Sequence, residues 1–98
     1  MNLIGLTAKL MEDADAQCGE GFRAWLGEVR MASWEDVAGM RRCFPRCWWL
    51  EADHFHFSLA PGDAGIRVDV HFGPGLVRLH AIAPAPVTAG QHASVFPA

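Results

Sequence analysis

The chain has 98 residues, enough for one small domain with a single modest core and too few for two. Hydrophobic residues make up 51% of it, including four Trp and six Phe, which excludes a disordered chain, and no apolar run reaches the length of a membrane span. The formal net charge of −3 argues against broad, non-specific adhesion to nucleic acid but leaves room for a local basic site.

Met1-Asn2-Leu3-Ile4 predicts a short first strand, and without a basic flank or long apolar stretch it does not read as a secretory signal, so a cytoplasmic location is expected. From Thr7 to about Gln17 the spacing turns helical, with Leu6, Leu10, Met11 and Ala14 on one stripe. Gly19 and Gly21 break the chain, and a second helix is expected from Gly21 to Met31, where Phe22, Trp25, Leu26 and Val29 recur at i, i+3, i+4 and i+7. Ser33 is the expected cap of a third, short helix ending near Arg41 or Arg42, because Pro45 prevents its continuation. Arg41, Arg42 and Arg46 cluster around Cys43-Phe44-Pro45, and Cys47-Trp48-Trp49-Leu50 leads into a sheet. Cys18, Cys43 and Cys47 are odd in number, so reduced thiols are expected.

Three runs then alternate apolar with polar residues: 54–59, 66–72 and 77–81. That is the period of half-buried strands. Phe55, Phe57, Leu59, Ile66, Val68, Val70, Phe72, Val77, Leu79 and Ala81 would face a core, leaving His54, His56, Arg67, Asp69, His71, Arg78 and His80 on the other side. Residues 60–65 and Gly73-Pro74-Gly75 read as turns. Hydrophobic matching pairs Leu59 with Ile66 and Phe72 with Val77, which would place His56, Asp69 and His80 in one row across three strands. The composition changes after Ile82, where Ala83-Pro84-Ala85-Pro86 is unsuited to an interior strand. The expected organisation is therefore one domain over 1–82 and a loosely held tail over 83–98, with an α+β fold in which two to three helices cover one face of a small antiparallel meander.

Three readings of the polar face stay open. It can be an ordinary solvated face. It can serve phosphodiester chemistry, since imidazoles exchange protons near neutral pH and arginine neutralises the charge of a five-coordinate phosphate. It can hold a metal through His56, Asp69 and His80, two imidazoles and a carboxylate, if a bulge makes flat strands converge. The Cys43-x-x-x-Cys47 pair followed by His54 and His56 is a weak zinc signal that lacks the CxxC spacing, and buried cysteine is its simpler reading. Trp25, Trp34, Trp48 and Trp49 read more readily as core than as base-stacking platforms, but the adjacent Trp48 and Trp49 would point to opposite faces of a strand, which could leave one available to a base or a partner.

The order of these parts resembles the HigB-type toxins of bacterial toxin–antitoxin systems, in the RelE-like superfamily. The residues that carry the resemblance are Met1-Asn2-Leu3-Ile4, Ala24-Trp25-Leu26, Trp34, Phe44-Pro45, the strand from His54 to Leu59, and Gly62 followed by Ile66-Arg67-Val68. It covers about residues 1–82, through short motifs whose order and spacing supply the weight. It implies a ribosome-dependent mRNA endonuclease without a cofactor, with a cognate antitoxin, the ribosome and mRNA as partners, and no contact with DNA except through an antitoxin complex. Arg67 matches a functional arginine of that pattern and would stabilise the phosphorane, while His80 stands where the last strand usually carries an arginine. His80 or His92 would be the base, and Arg41, Arg42, Arg46, His54, His71 and Arg78 would bind RNA. The chain departs from the family in lacking its terminal Thr-His-x-x-Tyr-Asp-like segment and any tyrosine, and in having the single lysine Lys9. A catalytically inactive, toxin-like protein-binding module is the alternative that these departures raise.

Overall fold

A computed structural model describes residues 1–59 and 64–86, and the backbone of 94–95. Strand β1 (Asn2–Ile4) leads into helices α1 (Ala8–Gln17), α2 (Glu20–Met31) and α3 (Val37–Cys43). Strands β2 (Cys47–Glu51), β3 (His54–Ser58), β4 (Ala64–His71), β5 (Leu76–Pro84) and β6 (Ser94–Val95) follow. The result is a small α+β fold.

Each helix begins where local chemistry allows. The Thr7 hydroxyl accepts a hydrogen bond from the Leu10 N–H at 3.1 Å, satisfying one free amide of α1. The cap of α3 is Asp36, whose carboxylate accepts from the Gly39 N–H at 2.8 Å, and not the expected Ser33. The later start leaves Trp34 in the connecting segment, free to stack on Phe57 with ring centroids 6.1 Å apart and to meet Phe44 edge-on at 5.8 Å. Burial of that indole outweighs an earlier turn of helix. Leu10 and Ala14 from α1, Phe22, Trp25, Leu26 and Val29 from α2, and Met40 from α3 join Phe55, Phe57, Ile66, Val68, Val70, Val77 and Leu79 in one core. All three helices therefore lie on the same side of the sheet.

The sheet order is β1-β5-β4-β3-β2-β6, with β1 parallel to β5 and the other pairs antiparallel. Gly5, at φ +87°, turns the chain out of β1 against β5; a Cβ there would stand 2.6 Å from the Leu79 carbonyl oxygen. The Trp48-Trp49 segment is itself a strand, β2.

Both expected registers are two residues out. Phe57, not Leu59, pairs with Ile66, because β4 already begins at Ala64 and the Leu59 N–H bonds to the Ala64 carbonyl at 3.1 Å. Val77 pairs with Val70, not Phe72, because the ladder ends at His71 and Leu76, where the Gly75 N–H reaches the His71 carbonyl at 3.0 Å. A shift of two keeps every side chain on its face, so the inward set survives from Phe55 to Leu79. Beyond Leu79 the ladder is one residue out, and Ala81, expected to face the core, pairs with Arg67 and is exposed while Ile82 packs on the core instead. Strand β5 also runs past the expected boundary at Ile82 to Pro84, which pairs with Ala64. Pro84 is the last residue of a strand whose far edge β1 covers only as far as Arg78, where a missing N–H costs least. Residues 94–95 pair with β2 at the opposite edge; 87–93, with His92, lie outside the described residues. No helix among the described residues is long and apolar enough to cross a membrane.

Candidate functional site

The sheet face turned away from the helices carries the polar alternation of β3, β4 and β5. His54 pairs with Asp69, and Asp69 with Arg78, while His56 pairs with Arg67. Regular pairing would then set His80 opposite Arg67. Instead the ladder slips between Arg67 and Val68: Val68 faces Leu79 and Arg67 faces Ala81, so His80 is an extra residue in a bulge. Bulges bend a strand and re-aim a side chain. Here the His80 Nε2 reaches the Asp69 Oδ1 at 2.8 Å, and the His54 Nε2 approaches the same oxygen at 2.9 Å.

The three ligand-type atoms lie within 4.8 Å of one another, and the two imidazole centroids are 5.8 Å apart. Asp69 is 7% exposed, whereas the imidazoles are about half exposed, so the carboxylate forms the floor and the rings the rim. Neither ring directs an N–H at the Asp69 Oδ1, which has no directed hydrogen bond despite its two close nitrogens. Such an oxygen can orient a base, accept a proton or bind a cation.

The row that forms is thus His54-Asp69-His80, and the expected row through His56 does not. His56 is fully buried, with both ring nitrogens unpartnered, beside Gly65 and opposite Arg67. Burial pushes its pKa down from 6.5 to about 4, with the Arg67 guanidinium adding to the effect. It stays neutral at physiological pH and is closed to substrate.

Arg67 and Arg78 are exposed on the same face, and neither has a salt bridge among the described residues. His71 lies further along β4, with its Nδ1 3.6 Å from the Asp53 Oδ2. Of the residues expected to grip RNA, His54, His71 and Arg78 therefore share the polar face. Arg41 and Arg42 belong to α3 in the helix layer, and Arg46 precedes β2, so they are not brought into this group.

The cysteines do not join it. Cys47 is buried in the core and its thiol is pushed up to about 12 by desolvation, against a smaller opposing effect of Arg41, while Cys43 is exposed. Trp25 and Trp34 are buried as expected. Trp48 stands beside His56 and donates to the Ser58 Oγ at 3.3 Å, and Trp49 is 45% exposed. A cavity of about 600 Å³ lined by Arg23, Gly27, Met31 and Phe44 belongs to the helix layer, away from this chemistry.

Sequence reasoning missed two features of the site: the partnership of His54 with Asp69, and the bulge. The spacing of Val77, Leu79 and Ile82 carried the signal for the second, since all three can face the core only if an extra residue lies between the last two.

No protein-family model matches the chain, and no curated protein matches it.

Proposed function

We propose that the chain is an endoribonuclease of HigB-type, RelE-like kind that cleaves mRNA at the ribosome through the polar face of its sheet. The observation that carries this reading is the company Arg67 keeps: an exposed guanidinium on the face that also bears a carboxylate between two imidazoles. The short edge strand, the helices covering one face and the strands that follow support it, since they agree with the architecture the sequence motifs imply. A cognate antitoxin is the partner that would silence it.

The chemistry uses groups present on that face. One imidazole of the His54/His80 pair takes the proton of a ribose 2′-hydroxyl, and the resulting oxygen attacks the adjacent phosphorus. The phosphorus–O5′ bond then breaks, and a protonated imidazole gives its proton to the leaving oxygen. The products are a 2′,3′-cyclic phosphate and a 5′-hydroxyl. Asp69 lies between the two rings, its Oδ1 2.9 and 2.8 Å from their Nε2 atoms. Arg67 stabilises the extra negative charge of the phosphorane, a role in which loss of one donor typically costs about a hundredfold or more in rate.

The test is mRNA integrity in a purified translation mixture containing a chelator, together with growth of a bacterial host on induction. The wild type is expected to shorten mRNA and slow growth, and Arg67→Ala to lose most of both effects. Intact mRNA and unchanged growth with the wild type would overturn the proposal.

A further inference from the structure

We infer that His54, Asp69 and His80 form a binding site for one divalent transition-metal ion of the zinc class, and that an ion there blocks RNA cleavage. The second half rests on the nuclease reading; the site itself does not.

The donor set comes first. Two imidazole nitrogens and one carboxylate oxygen suit zinc or cobalt, whereas magnesium and calcium select oxygen ligands. Three protein ligands leave a fourth position open, and the half-exposed rims of His54 and His80 give an ion and its remaining water access to it.

The geometry comes second. Ligands held at about 2.0–2.2 Å around a tetrahedral ion lie about 3.3 Å apart. The two His Nε2 to Asp69 Oδ1 separations are 2.9 and 2.8 Å, and all three atoms fall within 4.8 Å, so small rotations of side-chain ends open room for an ion. The three residues stand on adjacent strands of one sheet, and the bulge supplies the convergence that flat strands lack.

The carboxylate supplies an independent argument. Asp69 is 7% exposed and its Oδ1 accepts no directed hydrogen bond, although buried polar atoms are normally satisfied. A close approach by two ring nitrogens that do not aim N–H groups at the oxygen is a poor hydrogen-bond pair. It leaves a carboxylate oxygen and two imidazole nitrogens, all ligand atoms, within reach of one cation. Metal binding would occupy the Nε2 lone pairs of both imidazoles and leave neither to accept the 2′-hydroxyl proton.

Cobalt(II) titration of the purified full chain provides the test, read by visible absorption and by displacement with zinc. One equivalent is expected to give the intense bands of a low-coordinate site, with zinc displacing it and magnesium having no effect. His54→Ala and His80→Ala should each weaken binding by more than about a hundredfold, while Asp53→Asn, which alters only the neighbouring His71 contact, should bind as the wild type does. Urea unfolding of each variant shows that it is folded. No stoichiometric binding, or binding retained in both histidine variants, would overturn the site. Zinc that binds without slowing mRNA cleavage would overturn the inhibition alone. A protein that binds cobalt but never cuts mRNA would overturn the nuclease reading, with the inhibition that depends on it, and uphold the site.

Discussion

His56 and Gly65 meet ring against backbone: a Cβ at position 65 would stand 2.6 Å from the His56 Nε2 and 2.2 Å from the Phe57 carbonyl oxygen. The fully buried imidazole of His56 occupies the space that a side chain at 65 would fill. The ring could rotate away from a methyl group, but the carbonyl oxygen cannot leave without disturbing the ladder. Gly65→Ala should therefore lower stability by at least about 2 kcal/mol, an overpacking cost, as read by urea unfolding. Gly73→Ala is the control, since nothing lies within 4 Å of a Cβ there, and it should stay within about 0.5 kcal/mol of the wild type. Equal midpoints for the two variants would refute the close approach.

The same burial makes stability depend on pH. The folded-state pKa of His56 is about 4 against 6.5 for the free side chain, so between those values the unfolded chain binds a proton that the folded chain does not. Stability must then fall as the pH drops through that window, and recover as it rises. From pH 7 to pH 5 the loss due to this one group is roughly 2 kcal/mol. His56→Gln should lose that slope while keeping the contribution of the carboxylates, so the informative quantity is the difference between the two proteins, measured in chelator. Identical slopes for wild type and variant would show that His56 is not desolvated.

How much of this could be read from the chain depends on which physical rule each feature obeys. Period-two alternation named the inward side chains from Phe55 to Leu79 correctly because it reports only parity. The same insensitivity hid the register, since pairing Ile66 with Phe57 or with Leu59 buries the same residues. Arg67, Asp69, His54 and His80 were all placed on the polar face by alternation, but which histidines meet Asp69 depends on register and on the bulge. The His56 ring lies against the glycine across the ladder, a contact that local spacing does not contain. Ser33 and Asp36 are comparable caps on local grounds, and tertiary burial of Trp34 decided between them. Ala83-Pro84 contradicted the rule against proline in strands because that rule concerns interior positions, and Pro84 closes a strand end.

Removing His80 altogether sets the bulge against the usual consequence of a deletion within a strand. Taking one residue out of a regular strand turns every later side chain to the wrong face, so a core strand rarely tolerates it. His80 is different because it is the unmatched residue between Leu79, which faces Val68, and Ala81, which faces Arg67. Without it, Leu79, Ala81 and Ile82 would alternate inward, outward and inward against Val68, Arg67 and Ile66, the pattern of an uninterrupted ladder. The deletion variant should fold cooperatively, with a stability within about 1 kcal/mol of the wild type by urea unfolding, while losing the cobalt signature. Deleting Arg78 instead would turn the buried Leu79 outward and should cost several kcal/mol, on the order of 2–5 for the loss of one such core side chain. If the two deletions destabilise the protein equally, His80 does not occupy the extra position, and its approach to Asp69 needs another cause.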